Sequence, residues 1–362
     1  MFKPFSRVSG NMDIQTKSLS LERHNKRKET KTPTAALKKF SEIKSIPIDW
    51  LWLHRIPIGK LTLWGSDPGR GKTLTAIYVA ACLSKGESFF DGSPCPKGDT
   101  IFLSGEDDAG DTLKPRLDAA GADNSRVHYF GGERLHDGTL RPINLLKIET
   151  FIDALDQVKA AGGDPKLIII DPLDGNLDGA DGNVNEAVRS ALAGICQLMA
   201  KEKIALLGVK HLNKGKNDPL YRVGGSIAWV AMARSNWIFV EDKETGRNLF
   251  LPLKNNLAPE TSGLEYSIEQ KDVGVGFAPF VVWDGIVDDN IHDVMNPPPV
   301  SRGKTPEMEA ILALLKDYGA SMKTGEIAGA LGKSEQSISR SLRKLKTSGD
   351  VTSSQYGLWG IC

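Results

Sequence analysis

Cysteine is scarce in this 362-residue chain, and what there is stands apart. The four cysteines (Cys82, Cys95, Cys196 and Cys362) form no C-x-x-C pair. That spacing excludes a disulfide framework or a cysteine zinc site and fits a reducing compartment. Long hydrophobic runs are missing too, since none approaches the ~20 residues that a membrane helix needs. The opening residues, Met1-Phe2-Lys3-Pro4-Phe5-Ser6-Arg7, lack the apolar stretch of a signal peptide. These absences lead to the expectation of a cytoplasmic protein with no membrane contact. Net charge is also nearly absent, at +1, but it is unevenly spread. Residues 1–44 carry 11 Lys/Arg against 4 Asp/Glu, residues 303–362 carry 8 against 6, and the stretch between carries 27 against 35. Basic ends on an acidic middle direct any nucleic-acid contact to the ends or to local patches.

What is present suits a globular protein with a sizeable core: 40% of the residues are apolar and 25% charged. The length fits one large domain and one small one. Residues 1–45 are polar and lysine-rich and read as a basic, disordered arm. From 46 to 284 apolar strands alternate with amphipathic helices, as a mostly parallel sheet with helices on both faces requires. Residues 285–305 hold Pro297-Pro298-Pro299 and read as a linker. Residues 306–362 read as three helices (Met308–Asp317, Lys323–Leu331, Ser334–Thr347) and a hairpin over Val351–Ile361, the pattern of a winged helix-turn-helix domain. In the third helix Ile338, Leu342 and Leu345 form an apolar stripe. Arg340, Arg343 and Lys344 point the other way, with Lys333 just before. Such a helix can lie in a DNA major groove while its cations hold phosphates.

The densest information lies in Gly65-Ser66-Asp67-Pro68-Gly69-Arg70-Gly71-Lys72-Thr73. An apolar run, Leu61 to Trp64, precedes it, and an apolar-periodic segment, Leu74 to Leu83, follows. Strand, glycine loop and helix in that order make a phosphate cradle: backbone N–H groups turn inward at the positive end of a helix dipole. Lys72 can reach the β- and γ-phosphates, and the Thr73 hydroxyl can hold Mg²⁺. Ser66 stands where the pattern G-x-x-x-x-G-K-[ST] has its first glycine.

Three further residues each follow an apolar strand. Asp171 ends Leu167–Ile170, the Walker B position for a metal-linked carboxylate. Glu106 follows Ile101–Ser104 and can orient an attacking water, although its neighbours Asp107 and Asp108 compete for that role. His211 follows Ile204–Lys210 and can face a γ-phosphate. The loop after it carries Lys214, Lys216 and Arg222, candidates for contact with nucleic acid.

These strings, Trp64 to Thr73, Leu103 to Asp108, Ile169 to Leu173 and Lys210 to Gly215, resemble the RecA-like AAA ATPases of plasmids and phages. That group includes the RepA-type hexameric replicative helicases, relatives of DnaB and KaiC. The resemblance implies a RecA-like fold over about residues 48–270, with ATP and Mg²⁺ as cofactors. It implies Glu106 as the catalytic base, Asp171 as the Walker B acid and His211 as the γ-phosphate sensor. It also implies a ring in which each subunit completes its neighbour's site. Arg234 matches the family's arginine finger, and Lys254 the trans-acting lysine of the KaiC-like branch. The expected function is DNA-coupled ATP hydrolysis in a homohexameric helicase. Single-stranded DNA would pass through the ring, and duplex DNA would meet the C-terminal domain. The alternative is an ATP-switched DNA-binding regulator without unwinding.

Overall fold

The computed structural model describes residues 35–173, 185–213, 219–223, 228–259, 261–295, 304–354 and 357–362. Most of the arm expected over 1–45 lies outside that set. The chain divides into two units, Met1–Pro47 and Ile48–Cys362. In the first, the described residues carry a single 3-10 turn at Phe40–Glu42.

In the second unit the central strands are continuous apolar runs, as a sheet covered on both faces needs. Leu61–Ser66 (β1), Asp99–Ser104 (β2), Val127–Tyr129 (β3), Pro165–Asp171 (β4), Ala205–His211 (β5) and Ser235–Glu241 (β6) pair in parallel, in the spatial order β6-β1-β5-β4-β2-β3. Asn248–Asn255 (β7), Gly263–Asp272 (β8) and Phe277–Val287 (β9) extend the sheet antiparallel beyond β6, making nine strands among the described residues. Successive side chains point to opposite faces. Leu61, Leu63, Ile101, Leu103, Ile168 and Ile170 join one core with helices Ile148–Ala160 and Asn185–Glu202. Trp64, Phe102, Leu167 and Ile169 join the other, under helix Lys72–Lys85 (α1). This mixed α/β architecture with a large, mostly parallel sheet is compatible with a RecA-like phosphate-loop fold.

Two segments differ from the sequence reading. The helix that strand–helix alternation calls for after β2 opens with a π-helical turn, Ala109–Leu113, before Lys114–Ala119. Pro115 has no N–H for an ordinary helical bond, and the wider turn carries the chain past it. Strand β9 runs to Val287, beyond residue 284, and Ile291–Met295 is a short helix where a linker is expected. Val287, Ile291, Val294 and Met295 all pack into the first core, which keeps the chain on the sheet to residue 295. The three prolines lie outside the described residues.

The C-terminal residues form Pro306–Tyr318 (α2), Met322–Lys323 (β10), Thr324–Leu331 (α3), Glu335–Thr347 (α4), Val351–Ser353 (β11) and Leu358–Ile361 (β12). The strands pair antiparallel in the order β10-β12-β11. Thr305 and Ser334 cap α2 and α4, accepting the N–H groups of Met308 and Ser337. Ile311, Leu315, Ile327, Ile338, Leu342 and Leu345 make this segment's own core. Among the described residues no helix is long and apolar enough to cross a membrane.

Candidate active site

Strand β1 ends at Ser66, and α1 starts at Lys72. The turn between needs left-handed backbone at Gly69 (φ 75°) and Gly71 (φ 74°), which glycine adopts without strain. Ser66 needs no such conformation: among the described residues only His54 and Lys203 combine a side chain with positive φ. The serine is tolerated for that reason, and its Oγ accepts the Lys72 ammonium at 2.7 Å. Gly65 meets a packing demand instead, since a Cβ there would lie 3.1 Å from Leu212 and 3.2 Å from Ile238. Lys72 is buried and also reaches the Ser66 and Asp67 carbonyls, each at 3.4 Å. Pro68 and Gly69 are exposed at the tip. Arg70 turns away to Glu241 at 2.6 Å, while Tyr266 donates its hydroxyl to the Arg70 carbonyl. The exposed tip, the α1 N-terminus and the Lys72 ammonium together fit a polyphosphate.

Parallel register gathers the other groups at the same sheet edge. Ser66 pairs with His211 across β1 and β5, and Ser104 with Asp171 across β2 and β4. Thr73 Oγ1 donates to Asp171 Oδ2 at 2.6 Å. Burial pushes the Asp171 carboxyl up to about 6, reinforced by Asp107 and Glu106 and opposed by the Thr73 hydrogen bond and Lys72. A hydroxyl and a buried carboxylate side by side are hard oxygen donors that fit Mg²⁺ shared with phosphate oxygens. Among the described residues no group of three or more His, Cys, Asp or Glu makes a metal cage.

The three acidic candidates after β2 separate by their partners. Asp108 caps the following helical turn, accepting from the Gly110 and Asp111 N–H groups. Asp107 pairs with Arg116 at 2.8 Å. Glu106 is 60% exposed and stands 3.6 Å from His211 Nε2. His211 Nδ1 in turn lies 3.4 Å from Lys72 Nζ. A neutral His211 accepting at Nδ1 carries its proton on Nε2, towards Glu106. Lys72, His211 and Glu106 thus form a line, with Thr73 and Asp171 beside it.

The other candidates lie elsewhere. Arg234 bonds through its N–H to the Leu61 carbonyl, at the opposite end of β1 from the loop, roughly 16 Å away at strand spacing. Lys254 sits beside it, paired in register with Asn236. Both are exposed, and neither reaches the phosphate loop of its own chain. Arg222 is not the open nucleic-acid cation expected from its loop: it binds Asp67 at 2.9 Å. Lys214 and Lys216 lie outside the described residues. In α4, the cations expected to face DNA instead meet acidic residues of the larger segment: Arg340 with Asp293 and Arg343 with Asp289, both at 2.7 Å, and Lys344 with Glu244 at 3.9 Å. The acidic surface of the middle segment attracts them, a pairing between residues far apart in sequence. Lys333 is exposed just before α4. Sequence reasoning missed the Arg222–Asp67 and Arg70–Glu241 pairs, which no motif spacing signals.

The model of the AAA domain family matches residues 27–217, a little over half of the chain. That span takes in Lys72, Glu106, Asp171 and His211 and stops short of Arg222, Arg234 and Lys254. No curated protein matches the chain. Membership points to nucleotide binding and hydrolysis at the phosphate loop, the chemistry that the geometry above supports. The chain belongs to the AAA domain family.

Proposed function

We propose that the protein is a Mg²⁺-dependent ATPase coupled to DNA, and that it works as a ring-forming replicative helicase of a plasmid, phage or integrated element. The observation that carries the hydrolytic part is the line from Lys72 through His211 to Glu106, beside Thr73 and Asp171. Lys72 binds the terminal phosphates and offsets their charge. Glu106, solvated and next to His211, orients a water and takes its proton. His211 touches both the base and the lysine, so it can relay the state of the phosphate to the loop behind it. Thr73 and Asp171 would hold Mg²⁺, which supplies charge neutralisation on the phosphates when bound.

Support for a ring comes from Arg234 and Lys254. Two exposed cations at the sheet edge away from the loop have no access to their own nucleotide and suit a neighbour's. A cation supplied in trans is typically worth ~10³–10⁵ in rate. Support for DNA comes from the C-terminal segment, whose three helices and three-stranded sheet follow the order of a winged helix-turn-helix. The alternative, an ATP-switched DNA-binding regulator, is favoured by one observation: α4 holds Arg340 and Arg343 against carboxylates, so DNA binding there requires their release.

ATP turnover with and without single-stranded DNA, followed by displacement of an annealed strand, separates the two. Stimulation with displacement supports the helicase. Site-specific duplex binding without stimulation overturns it in favour of the regulator. Arg234→Ala should lower turnover by at least a hundredfold, and turnover within a few-fold of wild type would remove Arg234 from the site.

A further inference from the structure

We infer that Arg222 is a positioning residue of the phosphate loop: it cancels the charge of Asp67 and so lets the loop accept a polyphosphate. The inference rests on the nucleotide reading above. Asp67 is the sole acidic residue between Gly65 and Thr73. The loop's amides and Lys72 draw an anion in, whereas a carboxylate at its second position repels one. Arg222 Nη2 donates to Asp67 Oδ1 at 2.9 Å and lies 3.2 Å from Oδ2. The Arg222 side chain is 20% exposed and that of Asp67 52%, so protein as well as water separates this charge from its surroundings.

The arginine is itself held in place. Its backbone carbonyl accepts the Asn213 N–H at 2.7 Å, and its Nε donates to the Asn213 carbonyl at 3.4 Å. Asn213 stands two residues after His211, and Leu212 between them donates its N–H to the Ser66 carbonyl at 3.0 Å. One side chain therefore joins the end of β5, where His211 sits, to the acidic point of the phosphate loop. An arginine held this way serves the nucleotide site rather than a nucleic-acid backbone.

The test is equilibrium binding to the full chain of two fluorescent probes with Mg²⁺: an N-methylanthraniloyl ADP and the matching slowly hydrolysed ATP analogue. Arg222→Ala should weaken both, on the order of tenfold, and the triphosphate more than the diphosphate, because the unmasked Asp67 repels charge. Asp67→Asn should bind at least as tightly as wild type. The double variant should return to within about threefold of Asp67→Asn. If Arg222 were only a brace, Asp67→Asn would weaken binding as much as Arg222→Ala, and the double variant would not recover; that result overturns the inference. Unchanged binding in Arg222→Ala also overturns it and returns the residue to nucleic-acid contact. Arg222→Lys keeps the charge and should lose only about threefold, which keeps the comparison readable if the alanine variant fails to fold. A wild-type chain that binds neither probe overturns the nucleotide reading itself, an outcome distinct from failure of the Arg222 role alone.

Discussion

The phosphate loop and helix α4 are both cationic stretches expected to meet phosphate, and the fold treats them differently. Lys72 has neutral oxygens among its partners, Ser66 Oγ and the Ser66 and Asp67 carbonyls. Such groups orient an ammonium, the Asp171 carboxylate lies within electrostatic reach of it, and a phosphate oxygen can join them. Arg340 and Arg343 are held by the carboxylates of Asp293 and Asp289, which neutralise them. In one region the cation is held at the end of the phosphate loop, poised for a ligand; in the other it is salt-bridged to carboxylates of the larger segment. The contrast lies in the α4 partners, which fold in from a distant segment, whereas these Lys72 partners belong to its own loop.

The largest effect should come from breaking the poised region. Lys72→Ala should cost about 10²–10³-fold in steady-state ATP turnover, the usual penalty for removing a preorganised charge partner of the transition state. Turnover that survives the change would place hydrolysis elsewhere.

Asp171 sharpens the contrast through pH. Its carboxyl stands at about 6 against an ordinary 3.8 because it is buried. The folded chain holds this proton more tightly than the unfolded chain does. The group's favourable contribution is therefore complete below about pH 4 and is lost as pH rises towards 6 and beyond. By pH 7 the loss amounts to about 3 kcal/mol, roughly 1 kcal/mol of it between pH 5 and 7. Denaturant unfolding without nucleotide at both pH values should show this fall in wild type and not in Asp171→Asn. Equal pH dependence in the two would mean that the carboxylate is better solvated than its burial indicates.

The smallest effect belongs to the paired region. Asp293→Asn removes the partner of Arg340 and should raise affinity for a duplex of arbitrary sequence about threefold at low salt, since exposed ion pairs are weak. The gain should fade as salt screens the contact. Fluorescence anisotropy reads it, and an unchanged affinity would mean that the α4 cations take no part in DNA binding.

Much of the larger segment was legible in the sequence because its information is local. Apolar runs mark the buried strands, and Gly69, Gly71, Lys72 and Thr73 are neighbours along the chain. Asp171 and His211 were legible for a related reason: in a parallel sheet, a polar residue just past a strand emerges at one common edge. What sets Glu106 apart from Asp107 and Asp108 was not legible, because it lies in their partners: Arg116 for Asp107, and the N–H groups of Gly110 and Asp111 for Asp108. The pairing of α4 with Asp289, Asp293 and Glu244 was invisible too, since exposed charges have no periodicity that names their partners. The run past residue 284 escaped because β9 is antiparallel and half-exposed at its end, so its last residues look like a loop.

Glu106→Gln tests the hydrolytic line most directly, because it keeps the size of the side chain and removes only the base. Nucleotide affinity should stay within about threefold of wild type, while turnover at saturating Mg-ATP should fall by about a hundredfold or more. Turnover within a few-fold of wild type, with affinity unchanged, would contradict the assignment of Glu106 as the base.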